Sequence, residues 1–215
     1  MSIASRVSAF NRRRKWSLFL KEIPPSEKMT ILDVGFSEKE YSSTDNFIEK
    51  HYPYQNRLTA LGVDTPCDFL TRYPEVKVVS YDGGRFPFDD KEFDVCWSNA
   101  VIEHVGSFEK QLFFLKEIKR VSRRAFITTP NKWFPVELHT RTPLLHYMPK
   151  NLFEKFLASI GKKWATGDYM HLLSASDLKA LLVAVDIAPY KLFRNRILGF
   201  TVDFAVILDC EGPAE

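Results

Sequence analysis

Cysteine is scarce in this 215-residue chain: Cys67, Cys96 and Cys210 are its only three, and none stands in a C-x-x-C pair. The scarcity excludes a disulfide framework and a cysteine zinc site, and predicts reduced thiols with Cys96, inside an apolar run, buried. Long apolar runs are missing too. No stretch approaches the roughly 18 apolar residues of a membrane span, and "WSLFL" (16–20) is too short for a signal-peptide core before Lys21 and Glu22. The expected location is the cytoplasm. H-E-x-x-H is absent, so no metal is expected; G-x-G-x-x-G, G-x-x-x-x-G-K-[ST] and G-x-S-x-G are absent as well, which sets aside dinucleotide, phosphate-loop and hydrolase chemistry. Tyr73 and Lys77 have the spacing of a reductase pair, but Pro74 between them forbids the helix that pair needs.

What is present is the composition of one well-packed domain, 45% hydrophobic and 14% aromatic. The net charge of +3 is uneven: residues 1–28 carry seven Lys/Arg against two Glu, leaving 23 basic and 25 acidic residues elsewhere. "SRVSAFNRRRKWSLFLKEI" predicts a helix with Val7, Phe10, Trp16, Phe19, Leu20 and Ile23 on one side and Arg12 to Lys15 across the other. A leading helix of this kind, residues 1–28, is expected to pack on the core with its cationic face in solvent. Its rival is weak contact of that face with an anionic membrane; with no further basic tract in the chain, nucleic acid is not expected as a partner. Pro24-Pro25 ends the helix.

From residue 29 to 215 a single domain is expected. Strands are predicted at 30–34, 57–64, 76–82, 93–99 and 124–130, and helices at 44–52 and 109–121, an alternation that gives an α/β sandwich on a largely parallel sheet. Residues 131–149, rich in proline and aromatics, break the rhythm as an ordered excursion beside the site. Helices follow at 150–161 and 174–185, the latter capped by Ser174 or Ser176, and the chain ends in two strands turning near Gly199.

Ligands bind beyond the carboxyl ends of parallel strands, and these ends carry acids. Asp33 closes the first strand, Asp64 the second and Asp82 the third. A carboxylate after strand two suits the two hydroxyls of a ribose, and one after strand three suits an exocyclic amine of adenine.

These residues resemble the class I S-adenosylmethionine-dependent methyltransferases. "ILDVG" (31–35) is similar to their first motif, "YDGGRFPFDDKEFDVCWSNAVIEHV" (81–105) to their adenine loop and the stretch after strand four, and "FLKEIKRV" with "FITTPN" to the helix and strand that follow. The resemblance covers residues 30–131 and implies a Rossmann-like three-layer sandwich, its seven-stranded, mostly parallel sheet having an antiparallel last strand. It implies S-adenosylmethionine as cofactor, with Asp33 and Gly35 at the methionine end, Asp64 (or Asp68 in its place) on the ribose, Asp82 and Gly83 on the adenine, and Ser98 or Asn99 facing the sulfonium. The chain departs from the family after Gly35: where two more glycines are usual stand Ser37 and Lys39. Ser37 is small enough to keep the backbone close, and the hydroxyls of Ser42, Ser43 and Thr44 at the start of the next helix are expected to take over the cofactor's carboxylate. The base-directed amino-methyltransferases have Asn/Asp-Pro-Pro-aromatic where this chain has "SNAV", so DNA is not the expected acceptor.

The expected acceptor is a small polar molecule, a hydroxyl of a sugar, glycan precursor or natural product, methylated by a monomer or homodimer. His139, with Glu137 orienting it or serving in its stead, is the candidate base; Trp133, Phe134, Arg141 and Tyr147 are the candidate acceptor-binding residues. His51 and His171 are read as ordinary packed or surface histidines, and His104 as part of a helix packed under the site. Two alternatives stand beside this reading: that 131–149 is a packed lid only, and that the domain has lost its cofactor and serves as a binding partner.

Overall fold

The computed structural model describes residues 3–137, 142–167 and 170–211. Helix α1 (Ile3–Glu22) leads into strand β1 (Ile31–Val34), a short α2 (Phe47–His51), β2 (Leu58–Gly62), a short α3 (Asp68–Arg72), β3 (Lys77–Ser80) and β4 (Phe93–Asn99). Helix α4 (Phe108–Val121) and β5 (Ser122–Pro130) follow, then the two-residue strands β6 (Val136–Glu137) and β7 (Thr142–Pro143), α5 (Lys150–Ser159), α6 (Ala175–Ala184), β8 (Tyr190–Ile197) and β9 (Phe200–Asp209). The main sheet has seven strands in the order β3-β2-β1-β4-β5-β9-β8, parallel except for β9, which runs antiparallel to both neighbours. This is the expected Rossmann-like sandwich.

Successive strand residues point to opposite faces, and that alternation builds two cores. Leu32, Cys96, Ala125, Ile127, Phe204 and Val206 face α4 and α6, meeting Leu115, Ile118, Leu178 and Leu181. Ile31, Val95, Trp97, Phe126, Ala205 and Ile207 face the other way, onto Phe19 and Ile23 of α1 and Ile48 of α2. Trp97 stacks on Phe126 with ring centroids 5.0 Å apart, and Phe19 stands edge-on to both. Helix α6 begins with a capping box in which Ser174 and Asp177 satisfy each other's backbone amides, as the Ser174 reading anticipated. Cys96 and Cys210 are buried free thiols and Cys67 an exposed one.

Helix α1 corrects the sequence reading. Its inner face is Asn11, Lys15, Phe19 and Ile23, four residues apart, so Lys15 is buried rather than solvated, and Phe10 is 57% exposed. The Lys15 ammonium lies 3.2 Å from Asp203 Oδ2, with Asn99 Oδ1 and Thr128 Oγ1 at 3.4 and 3.3 Å. Asp203 also accepts from Asn195 Nδ2 at 2.5 Å and from Asn11 Nδ2. This cluster fastens α1 to β9 and turns Arg12, one turn earlier, toward the carboxyl ends of the strands. Among the described residues, no helix is long and apolar enough to cross a membrane.

Candidate functional site

Two cavities lie past the carboxyl ends of β1 to β4. One, about 590 Å³, is lined by Gly62, Asp64, Tyr81, Asp82, Gly83, Phe86 and Phe113; the other, about 660 Å³, by Arg12, Asp33, Ser42, Thr44, Glu49 and Asn99. They share Gly35, Val101 and His104 in their linings, so they lie end to end as a groove with an apolar end and a charged end, Val101 packed on Gly35 between the two.

The floor of the groove is set by backbone geometry. Gly35 has φ +100°, and a Cβ there would lie 2.4 Å from Val101 Cγ2, so only glycine fits. Its amide is bonded to Leu61 O at 2.8 Å, which ties the end of β1 to β2. Beyond β4 the chain reverses through Ala100 at φ +60°, and Val101 stands over Gly35 where the two cavities join.

At the apolar end, Asp64 and Asp82 are exposed carboxylates after β2 and β3, and Asp82 Oδ1 accepts from Gly84 N at 2.9 Å. A Cβ on Gly83 would come no nearer than 3.9 Å to Val63, so there the left-handed φ of +86° rather than crowding calls for glycine. Asp68, named in the sequence as a substitute for Asp64, is the first residue of α3 and lines neither cavity.

At the charged end, Asp33 is 5% exposed and Glu49 fully buried. Burial, reinforced for Asp33 by the neighbouring Glu49, holds both carboxyls above their ordinary range. Burial also lowers the Arg12 guanidinium from its usual value, opposed by the fields of Asp45, Asp203, Asp33 and Glu103. Arg12 makes no ion pair among the described residues, although it lines the cavity.

The loop from Phe36 to Asn46 holds its shape through side chains. The Asn46 amide bonds both the N–H and the C=O of Ser37 at 2.8 Å, and Asn46 itself takes a left-handed φ of 46°. Glu38 accepts from the amides of Cys67, Asp68 and Phe69 at 3.0, 2.6 and 3.2 Å. Glu40 takes Lys50 at 2.7 Å and the Tyr73 hydroxyl at 2.6 Å, and burial, reinforced by that carboxylate, pushes the phenol well up. Asp45 accepts from the amides of Tyr41 and Ser42. Lys39 is exposed.

The sequence expectations divide as follows. Asp33, Gly35, Ser37, Asp64, Asp82, Gly83 and Asn99 all line the groove. Ser98 does not: it is fully buried, lines neither cavity, and its hydroxyl has no partner, so of the pair Ser98 and Asn99 only Asn99 reaches the groove. The helix expected from residue 44 starts at Phe47; Ser42 and Thr44 reach the charged end from the loop before it, while Ser43 points outward. Arg12 belongs to the face expected in solvent, His104 to a helix expected to pack under the site, and Glu49 to the short helix 44–52 with no role assigned; all three line the groove. For Glu49 the sequence signal is slight, a carboxylate directly after Phe47 and Ile48 in a short apolar run.

Of the acceptor candidates, Trp133 and Tyr147 line a third cavity of about 500 Å³ with Lys132, Phe153, Glu154 and His171, which shares no lining residue with the groove. The Tyr147 hydroxyl bonds Trp133 O at 2.9 Å. Phe134 is half-buried beside that cavity's rim without lining it. Glu137 pairs through β6 with Thr142, while His139 and Arg141 lie outside the described residues. Among the described residues no cluster of His, Cys, Asp and Glu is placed to hold a metal.

Residues 48–125, from α2 into β5, match the profile of a family described as "Methyltransferase domain". No curated protein matches the chain by sequence. Among solved structures, a SAM-dependent methyltransferase from Aquifex aeolicus is 17% identical with a TM-score of 0.57, over 97% of this chain and 98% of that one. A Burkholderia thailandensis 1,6-didemethyltoxoflavin-N1-methyltransferase, solved with its substrate and S-adenosylhomocysteine, is 13% identical with a TM-score of 0.59, over 92% of this chain and 77% of the other. The CurJ carbon methyltransferase is 12% identical with a TM-score of 0.59; the match takes in 93% of this chain but only 54% of the longer one. By the profile match over 48–125 and the likeness of these structures over most of its length, the chain has the Rossmann-like fold of the S-adenosylmethionine-dependent methyltransferases.

Proposed function

We propose that the protein binds S-adenosylmethionine along the groove and transfers its methyl group to a hydroxyl of a small polar acceptor such as a sugar, a glycan precursor or a natural product. The observation that carries this reading is the joining of the two cavities at Gly35, Val101 and His104, with exposed acids at one end and opposed charges at the other. The lining fits the cofactor's three parts. Tyr81, Phe86 and Phe113 offer a flat apolar wall to an adenine, with Asp82 and Gly83 at its edge; Asp64 is placed for a ribose; Arg12, Asp33, Ser42 and Thr44 suit an amino-acid head. Gly35, where a Cβ would push Val101 aside, lets the chain pass under the middle of the groove.

When bound, the cofactor supplies an electrophilic methyl group on a sulfonium. The chain's own share is orientation, exclusion of water and removal of the acceptor's proton. Asn99, the last residue of β4, lines the charged cavity, and Val101 just beyond it lines both; the two would orient the reacting centre. In this reading His139 accepts the proton from the acceptor hydroxyl and Glu137 holds its imidazole or acts in its place. Trp133, Phe134, Tyr147 and Arg141 bind the acceptor. The structural relatives include carbon and nitrogen methyltransferases, so the hydroxyl acceptor rests on the Arg, His and aromatic content of 131–149 alone.

Calorimetric titration with S-adenosylhomocysteine tests the cofactor site. A ligand at 100 times its Kd raises stability by about 2.7 kcal/mol, so a clear rise in Tm is expected with this nucleoside and none with NAD or ATP. No shift at millimolar concentration would favour a domain that has lost its cofactor.

A further inference from the structure

We propose that Glu49 joins Asp33 in seating the cationic amino group of the ligand's amino-acid head, and that the two carboxyls together give up a proton to solvent as that group enters. The inference rests on the cofactor reading above. Its starting point is Glu49 itself, wholly buried at the groove's charged end, where its carboxyl lies against the Asp33 carboxyl and meets no side-chain N–H or hydroxyl donor. A buried carboxylate without donors costs several kcal/mol, so such a group is either protonated or waiting for a cation.

No cation among the described residues forms an ion pair with it. Lys50, next in the chain, is held by Glu40 and by Asp45 O, both at 2.7 Å. Arg12 comes from α1 and forms no ion pair within the described residues. Asp45 is occupied by the loop amides, and His104 lies across the cavity after β4. Glu40 adds a repelling field from the loop side. Asp33, on β1, is the close neighbour; burial raises both carboxyls, and Glu49 raises Asp33 further while bonding to it. The pair therefore shares a proton that an ammonium group, with three N–H donors and a positive charge, makes unnecessary. An amino-acid head is the ligand class that uses both uncommitted charges at once, its amine toward Asp33 and Glu49 and its carboxylate toward Arg12.

The test is titration calorimetry of S-adenosylhomocysteine and its des-amino analogue on wild type, Glu49→Gln and Glu49→Asp, in two buffers of different ionisation enthalpy. A hydrogen bond to a charged group is worth about 1.5–3 kcal/mol, so wild type should prefer the amine-bearing compound by roughly 10- to 100-fold. Glu49→Gln should lose most of that preference and Glu49→Asp regain part of it. Proton release should accompany the amine-bearing compound only, and vanish in Glu49→Gln. In wild type the affinity should rise with pH above the ordinary carboxylate range of about 4, because the raised carboxyls must ionise to receive the amine. Equal affinities and equal proton counts in wild type and Glu49→Gln would overturn the inference while leaving the cofactor reading intact. A wild type that binds neither compound would overturn both.

Discussion

Replacing Asp203 by asparagine strands a charge. Lys15 and Asp203 are 7% and 1% exposed and 3.2 Å apart, and burial already lowers the Lys15 pKa against the opposing pull of Asp203. Removing one member of a buried pair costs about 3–5 kcal/mol, because the other is left charged in a medium that cannot solvate it. The lysine has an escape, which sets a ceiling. Losing its proton at pH 7, starting from an ordinary pKa near 10.4, costs about 5 kcal/mol. Asparagine cannot repair the site: its amide would present N–H groups to Asn11 or Asn195, which already donate to Asp203. The expected loss of 3–5 kcal/mol is a large part of a typical total of about 5–15 kcal/mol, and lowers Tm by roughly 6–20 °C for a domain of this size.

The pH dependence distinguishes this mechanism from simple loss of packing. In Asp203→Asn the folded state binds fewer protons than the unfolded one wherever Lys15 is neutral in the fold, so stability rises with pH, by up to about 1.4 kcal/mol per unit between neutrality and pH 10 relative to wild type. Urea unfolding of wild type, Asp203→Asn, Lys15→Met and the double variant measures it. Asp203→Asn should cost much less in the Lys15→Met background. The affinity for S-adenosylhomocysteine should fall as well, since the same helix carries Arg12. A cost under about 1 kcal/mol, strict additivity, or a flat pH profile would each refute the reasoning.

Three further outcomes are expected. Gly35→Ala should cost about 1–3 kcal/mol in unfolding measurements, through its φ of +100° and the clash with Val101, and should weaken S-adenosylhomocysteine binding; Gly161→Ala, in open space, should leave that binding unchanged. Asp64→Ala should weaken binding of the same nucleoside in calorimetry while stability stays within about 0.5 kcal/mol, because the carboxylate is exposed. Once an acceptor is identified, His139→Gln should lower kcat by about 10²- to 10⁴-fold without changing cofactor affinity; an unchanged kcat and acidic limb would exclude it as the base.

Most of the sandwich could be read from the chain because its signals are local. Strands β4 and β5, helix α4 and the β8–β9 turn at Gly199 each carry their own periodicity or punctuation, and the Ser174 cap is complete within four residues. What escaped was decided over long sequence distances. Lys15 reads as a surface charge until Asp203, near the other end of the chain, comes to meet it. Helix α3, five residues long, gave no signal because its amides are satisfied by Glu38 from the loop after β1. The start of α2 slipped from residue 44 to Phe47 because Asn46 bonds back to Ser37 and adopts a left-handed backbone. In the site the strand-end acids were legible by register, whereas Arg12 and Glu49 depend on which face of a helix is turned inward.

The missing loop glycines find their explanation in the same long-range contacts. Glycine serves after a first strand for two reasons, a positive φ and the close approach of backbone. Here the first need falls on Gly35, under Val101, and on Asn46, a residue that tolerates it. The next residue after Gly35 turns its side chain in, Phe36 packing on Gly62 and Phe69. The loop that follows has its polar backbone satisfied by the side chains of Asn46, Glu38 and Asp45, while Lys39 extends into solvent. The groove's charged end is consequently walled by side chains rather than loop amides: Arg12 from α1, Glu49 from α2, and Ser42 and Thr44 between them. A ligand head held this way depends on where two helices sit. That makes the Lys15–Asp203 anchor of α1, which lines neither cavity, a determinant of binding, where a glycine loop would have needed only its own strand.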